Sequence, residues 1–220
     1  RTMLHFLAQA ELYLPILMQG VYLTILVTLG GFTLATVLGL VLAFMRVSGF
    51  RSLSAISRVF VIVVRGIPAL VTLFYIYFVF PDLGLSLSAV QAAILGLGIA
   101  YSPYMAEVFR SGIEAIDHGQ SEAALSIGMG WGMVMRRVIL PQAIKVALPP
   151  YGSTMVMLLK DSSLASTITV ADLSLQGKLL ASSTFENTTI FTLVAILYLA
   201  MSLPLTALNG WLEKSLRQPR

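Results

Sequence analysis

The stretch "GVYLTILVTLGGFTLATVLGL", from Gly20 to Leu40, contains no charged residue and indicates the environment in which the chain folds. It lies within a longer uncharged run between Glu11 and Arg46. About 20 apolar residues in a helix cross the roughly 30 Å core of a bilayer, so this run predicts a membrane-spanning helix. Because the run is longer than one perpendicular crossing, we expect the helix to tilt or to begin along the membrane surface.

The composition of the whole chain also predicts an integral membrane protein. Of its 220 residues, 57% are apolar and 11% are charged, whereas soluble domains have roughly 45–50% apolar and about 25% charged residues. Lipid offers no partner to an unpaired backbone group, so every span is expected to be helical. The uncharged runs predict five transmembrane helices in an all-α polytopic protein, at about Tyr13–Phe44, Arg58–Phe80, Ser88–Gly112, Val138–Leu159 and Thr188–Leu212.

Arginine and lysine are distributed unevenly among the segments that connect these helices. Cytoplasmic loops carry an excess of these residues, which predicts an N-terminus outside and a C-terminus in the cytoplasm. The net charge of +4 follows from the same rule, and we expect no nucleic-acid partner. We predict a single transmembrane domain over residues 1–220. The side richer in basic residues holds Arg46, Arg51, Arg58, Arg110, Arg136, Arg137, Lys214, Arg217 and Arg220, and the other side holds Arg1, Lys160 and Lys178.

Small residues recur every three or four positions along the first helix. This spacing lets two helices approach closely. It favours packing within the chain, and a dimerisation face is the alternative. The residues are Gly20, Thr24, Thr28, Gly31, Ala35 and Gly39.

A polar segment, "GQSEAALSIGMGWGMVMRRVILPQA" from Gly119 to Ala143, interrupts this apolar sequence. Residues Gln120 to Ile127 are good helix formers, and Glu122 lies in the first turn, where a carboxylate suits the helix dipole. An isolated helix this short is marginally stable in water. It therefore rests either in the groove of a partner protein or, as an ordinary loop helix, on its own protein.

The residues around this short helix predict its boundaries. Ser111 and Glu114 have the spacing of a capping box, so we expect a helix to start there and Gly119 to break the chain. The glycines of this segment are interpreted either as hinges or as positions where a side chain would clash, and the second interpretation is favoured for Gly128, Gly130 and Gly132.

The spacing of "EAALSIG", nine residues and then "VILP" resembles the EAA loop of permease subunits of bacterial ABC importers. That pattern is EAA, three residues, Gly, nine residues and Ile-x-Leu-Pro, and Val138 replaces its Ile. Other stretches resemble polar amino acid uptake permeases of the histidine, glutamine, arginine and cystine type: "RGIPALVTLFYIYFVFP", "AYSPYMAEVFRSGIEAID", "LPQAIKVALPP" and "LLKDSSLASTITVADL". This sequence has Ile67 where Thr is usual, and Ser102-Pro103 is expected to kink the third helix.

The resemblance implies a type I ABC importer permease fold in the bacterial inner membrane. It implies pairing with a second, identical or related permease subunit, two ATPase subunits in the cytoplasm and an extracytoplasmic amino-acid-binding protein. ATP-driven alternating access would be coupled through the EAA segment, about residues 113–137. The residues that would contact the ATPase are Gly119, Gln120, Glu122, Ala123, Ala124 and Gly128.

No nucleotide site is expected in this chain. Its only Gly-Lys pair, Gly177-Lys178, is followed by Leu179 and does not fit G-x-x-x-x-G-K-[ST]. The chain is therefore predicted not to be an enzyme and to bind no metal or cofactor, with ATP and Mg held by the partner ATPase. An ion-gradient-driven secondary amino acid transporter is the alternative, but it predicts inverted repeats or acidic residues in the middle of the membrane.

The substrate path is predicted from polar residues in the spans. Pro149-Pro150-Tyr151-Gly152 is expected to break the fourth helix and expose backbone groups, and the lack of a carboxylate in the middle of helices four and five favours neutral or zwitterionic amino acids. Hydroxyl groups that bond their own backbone are the alternative. The predicted path comprises Thr72, Ser102, Gly152, Ser153, Thr154, Lys160, Asp161 and Ser163, and a structural ion-pair cluster between helices two and three comprises Arg65, Glu107 and Arg110.

Overall fold

The computed structural model describes residues 2–216, and the side chains of residues 9–216. The described residues are helical and contain no strand, which confirms the all-α class. Arg1, Arg217 and Arg220, which were counted in the charge asymmetry, lie outside them. The helices are α1 (Thr2–Val47), α2 (Arg51–Gly66), α3 (Ala69–Phe74), α4 (Ala89–Glu114), α5 (His118–Ser126), α6 (Trp131–Val134), α7 (Leu140–Asp161), α8 (Leu173–Thr184) and α9 (Asn187–Leu216).

Irregular helical turns extend three of these elements. A π-helical turn, Tyr75–Val79, and a 3-10 turn, Phe80–Leu83, continue α3. Another π-helical turn, Met135–Ile139, joins α6 to α7, and a 3-10 segment, Ser162–Ile168, follows α7. The polar segment that carries α5 and α6 therefore passes into α7 without an extended linker.

The small residues of α1 pack within the chain. Gly31 faces Leu97 and Gly98 of α4, where an added Cβ would lie 3.3 Å from the Cβ of Leu97. Ala35, which is fully buried, joins the same core cluster as Leu97. The small-residue spacing thus serves intramolecular packing, as predicted, because it brings the α1 and α4 backbones close together.

The N-terminal half of α1 packs against the start of α8. A Cβ at Gly20 would lie 2.7 Å from the Cα atom of Leu173. Thr24 is fully buried, and its hydroxyl oxygen accepts a hydrogen bond from the Leu173 N–H at 3.1 Å. Leu17 and Ile190 then complete a second core cluster between α1, α8 and α9. The helix α8 is therefore fixed by backbone contact as well as by apolar burial.

The second predicted span is broken rather than continuous. Helix α2 begins at Arg51, and the axis turns by 98° between α2 and α3. Ile67, which precedes Pro68, has an extended backbone with φ −104° and ψ 127°, since the proline ring disfavours the helical region for the residue before it. The prediction of one helix from Arg58 to Phe80 is therefore wrong.

The fourth predicted span shows the opposite outcome. Helix α7 runs without interruption through Pro149 and Pro150, so the predicted break there is wrong. The two prolines remove two N–H donors, but a helix held between neighbours tolerates that loss, and α7 packs against both α4 and α9. Pro103 likewise lies inside the continuous helix α4.

Three described helices are long and apolar enough to cross a membrane: α1 from Gln9, α4 and α9. The bent pair α2–α3 would make a fourth span. Helix α7 has 22 residues, but Lys145, Lys160 and Asp161 reduce its hydropathy. It is therefore not among the helices whose length and composition suit a membrane span. Five spans therefore stay a prediction.

Replacing Gly20 with Ala is expected to destabilise the protein. The new Cβ meets the backbone of Leu173, which cannot rotate away as a side chain would, and such overpacking costs about 1–3 kcal/mol. The matched control is Gly210→Ala in α9, where no atom lies within 4 Å of the added Cβ and helix propensity favours Ala by about 1 kcal/mol. The midpoint of thermal unfolding in detergent should fall for the first variant and not for the second. Equal midpoints would contradict the close approach of α1 and α8.

Candidate functional site

Helix α5, which carries the EAA residues, is capped by an aspartate. The Oδ1 atom of Asp117 accepts a hydrogen bond from the Gly119 N–H at 2.7 Å. Gly119 therefore lies in the first turn of α5, and the prediction that it breaks the chain is wrong. Ser111 does not start a helix either, because it lies inside α4 and its hydroxyl donates to the Val108 carbonyl.

Gly128 ends α5 in a left-handed conformation with φ +85°. Its N–H donates to the Leu125 carbonyl, and the Met129 N–H donates to the Ala124 carbonyl, which is the hydrogen-bond pattern of a Schellman motif. No described atom lies within 4 Å of a Cβ added at Gly128, Gly130 or Gly132. The predicted clash within the chain is therefore wrong, and the backbone conformation explains Gly128.

Two contacts hold α5 on the body of the protein. Ala124 is 6% exposed and packs with Val134 and Ile139 of the following segment. The Nε2 atom of Gln142, in the first turn of α7, donates to the Oε1 atom of Gln120 at 2.5 Å. Sequence reasoning missed Gln142, although it directly follows the proline of the EAA pattern. These contacts connect α5 directly to the start of α7.

The rest of α5 faces away from the chain. Glu122 and Ala123 are exposed, as are Gly119 and Gln120. The apolar side chains of Leu125, Ile127 and Trp131 beside them are 45%, 80% and 56% exposed. An ordinary loop helix would bury such side chains, so this surface of acidic, small and apolar residues suits a partner groove. The assignment of these residues to an ATPase contact stays a prediction.

An ion-pair cluster joins α1 to α4. Glu107 is 2.9 Å from the Nε atom of Arg110 and 3.4 Å from the Nη1 atom of Arg46. Arg110 also pairs with Glu114, one turn further along α4. The predicted cluster therefore exists around Glu107 and Arg110, but Arg46 of the first helix joins it.

Arg65 does not belong to that cluster, and its predicted pairing with Glu107 is wrong. Its guanidinium carbon lies 4.9 Å from the ring centroid of Tyr104, within the range of a cation–π interaction. Because α2 begins at Arg51, Arg65 is about 21 Å along the helix from its start. It therefore lies near the C-terminal end of α2, next to the bend that leads into α3.

A cavity of about 180 Å³ lies between α2, α4 and α7. Asp161 lines it, and the Oδ2 atom of this carboxylate accepts a hydrogen bond from the Tyr101 hydroxyl at 2.5 Å. Tyr104, which carries Arg65 on its ring, forms another part of the wall. The surroundings of the cavity thus offer one carboxylate and one guanidinium. The complete lining is Val64, Ile67, Ala69, Ala100, Tyr101, Tyr104, Met157 and Asp161.

Most of the other predicted path residues do not line this cavity and form hydrogen bonds to other parts of the protein. Thr72, Ser102 and Thr154 donate to carbonyls of their own helices, which is the alternative considered for membrane hydroxyls. Ser153 accepts a hydrogen bond from the Asn209 Nδ2 atom of α9 at 3.0 Å, and Gly152 also lies against that side chain. Lys160 is exposed and Ser163 is partly buried. Of the predicted set, only Asp161 lines the described cavity.

Asp172, which sequence reasoning also missed, is a buried carboxylate in the connection between α7 and α8. It caps α8 by accepting a hydrogen bond from the Leu175 N–H at 2.9 Å, and it lies 3.5 Å from the Tyr198 hydroxyl. Burial raises the pKa of Asp172 to about 6. Since its partners belong to α8 and α9, this group stabilises the packing of those helices.

The chain is similar to known membrane transport proteins over most of its length. Residues 35–218 match the family model described as "Binding-protein-dependent transport system inner membrane component". A probable amino-acid ABC transporter permease protein of Bacillus subtilis is 36% identical over 200 residues, which are 91% of this chain and 88% of the relative. A probable glutamine ABC transporter permease protein of the same organism is 37% identical over 201 residues, 91% of this chain and 93% of the relative. A solved structure, "Crystal structure of an amino acid ABC transporter with histidines", superposes with a TM-score of 0.89 at 35% identity, and the match covers 96% of this chain and 98% of that chain.

Replacing Gly128 with Ala is expected to loosen the end of α5. A left-handed conformation costs a residue with a Cβ about 1–2 kcal/mol, so amide hydrogen exchange at Met129 should become at least about fivefold faster. Gly130→Ala is the control, because Gly130 has φ −69° and open space around it. If both variants exchanged alike, the left-handed cap would not be what ends α5.

Proposed function

The chain belongs to the family of binding-protein-dependent transport system inner membrane components, and from that premise we propose that it moves polar amino acids into a bacterial cell. It is the permease subunit of an ABC importer. The family is one of transporter subunits, and its link to binding proteins and ABC transporters favours ATP-driven uptake over the alternative of an ion-gradient-driven transporter. The amino acid class is supported by the relatives, whose names refer to amino-acid and glutamine transport.

We propose five spans: α1, the bent pair α2–α3, α4, α7 and α9. The N-terminus would lie outside and the C-terminus in the cytoplasm, which the excess of basic residues near Arg51, Arg110 and Arg136 supports. The chain would pair with an identical or related permease subunit in the inner membrane and receive its substrate from an extracytoplasmic amino-acid-binding protein.

The exposed face of α5 is proposed to dock in a cleft of the ATPase, which holds ATP and Mg. The observation that carries this proposal is the division of α5 into two sides. Ala124 and Gln120 hold it to its own chain, while Glu122 and Ala123 are exposed beside three large exposed apolar side chains. A helix that is anchored on one side and apolar on the other can transmit the closure of the ATPases to α7.

The cavity beside Asp161 is proposed to hold a zwitterionic amino acid. The ammonium group would pair with the carboxylate that the Tyr101 hydroxyl orients, and the carboxylate of the substrate would meet Arg65, which the ring of Tyr104 holds nearby. One charge of each sign matches a neutral zwitterion and leaves no extra carboxylate for a basic side chain. This supports the class that the sequence favoured.

Glu122→Arg is expected to reduce the amount of ATPase that co-purifies with the permease by at least tenfold. A mismatched charge at the centre of an interface costs about 2–5 kcal/mol. Glu11→Arg makes the same substitution at an exposed position near the start of α1 and should leave co-purification unchanged. Intact ATPase binding and ATP-driven uptake with Glu122→Arg would show that α5 is not the coupling element.

Asp161→Asn is expected to raise the half-saturating substrate concentration for uptake into ATP-loaded liposomes by roughly tenfold or more, because a hydrogen bond between charged groups contributes about 1.5–3 kcal/mol. Tyr101→Phe should have a smaller effect in the same direction. Asp82→Asn replaces an exposed carboxylate after α3 and is the control. Unchanged half-saturation with Asp161→Asn, at normal ATPase binding, would place the substrate elsewhere.

A further inference from the structure

The connection between α1 and α2 forms a basic cavity that the transport function does not use. Its volume is about 450 Å³. Three arginines line it, two of them on α2 and one at the end of α1, together with a serine, a glycine and three apolar side chains. We call the part of this lining formed by Arg46, Arg51, Arg58, Ser54, Phe50 and Val59 the arginine pocket.

The positive charge of the arginine pocket is largely uncompensated. Arg46 lies 3.4 Å from Glu107, but that carboxylate is closer to Arg110. Arg51 and Arg58 are exposed, and within residues 9–216 neither has an ion pair or a side-chain hydrogen bond. Two guanidinium groups are therefore free to bind an anion, and a third contributes part of its charge.

The geometry of α2 sets both the spacing of these charges and the surface beside them. Arg51 and Arg58 are seven residues apart, so they lie on one side of the helix about 10.5 Å apart along its axis. Beyond Arg58, the residues Val59 and Ile62 are 61% and 64% exposed. Basic groups at the end of a helix, followed by an exposed apolar face, match a molecule with an anionic head and hydrocarbon chains.

We propose that the arginine pocket binds the phosphate headgroup of an anionic phospholipid in the inner leaflet. Guanidinium groups bind phosphate oxygens in a bidentate manner, and basic pockets beside membrane helices on the cytoplasmic side are suited to such headgroups. The acyl chains would lie along Val59 and Ile62, with which a free phosphate would make no contact. The proposal rests on the orientation given under the proposed function.

The test measures lipid retained by the purified importer with its ATPase subunits. Samples in mild detergent are incubated with phosphatidylglycerol or phosphatidylcholine, and bound lipid is counted by native mass spectrometry. Arg51→Gln/Arg58→Gln should lower phosphatidylglycerol retention by about 25-fold, or fivefold for each arginine, and leave phosphatidylcholine unchanged. Lys145→Gln/Lys214→Gln removes the same charge from two exposed positions outside the EAA segment and should leave retention within about twofold of the parent.

Three results would overturn the lipid site. These are equal losses in the two double variants, equal retention of both lipids, and displacement of bound lipid by millimolar inorganic phosphate, which would indicate a site for soluble anions.

The membrane orientation of the chain is checked separately with one introduced cysteine, because the chain has no cysteine of its own. Ser52→Cys should react with an impermeant maleimide only in opened membranes, and labelling of intact cells would overturn the inner-leaflet assignment. Lipid counts do not depend on uptake, so failure of transport and failure of the lipid site are distinguishable.

Discussion

The close approach of α1 to its neighbours is the constraint on which the rest of the structure depends. In lipid there is little hydrophobic force between helices, so association rests on packing and on hydrogen bonds between helices. Gly20 and Gly31 bring α1 close to α8 and α4, and Thr24 adds a hydrogen bond to the backbone of Leu173. With α1 as the common partner, α4 and α8 are fixed relative to each other, and the remaining helices pack around them.

Helix α7 links the two candidate sites within this frame. Its first turn contacts α5 through Gln142, and its last residue, Asp161, lines the cavity. These ends are about 33 Å apart for a helix of 22 residues. Because α7 continues through Pro149 and Pro150 instead of breaking there, one continuous element connects the contact with α5 to the cavity and would carry a movement from one to the other. A broken helix would absorb part of that movement.

Sequence alone was enough for the all-helical class, the family and the short helix of the EAA segment, because long uncharged runs and a motif of fixed spacing are local properties. It failed where the outcome depends on neighbours. Pro68 breaks a helix and Pro150 does not, although both are prolines in apolar runs; α7 lies between α4 and α9, which hold it in place. The pairing of Glu107 with Arg46 joins residues 61 positions apart, and no spacing rule predicts such a contact.

The arginines have different structural roles, which the distribution of charge along the sequence does not reveal. From sequence they form one signal, an excess of positive charge on one side. In the structure Arg46 joins α1 to α4 through Glu107, and Arg65 is held by an aromatic ring beside a cavity. Arg51 and Arg58 are left without partners among the described side chains. Insertion into a membrane requires only the charge of these residues. Their exact positions can therefore also contribute to packing and, as proposed above, to the binding of substrate and lipid. An arginine that packing does not use is therefore where a further ligand should be sought.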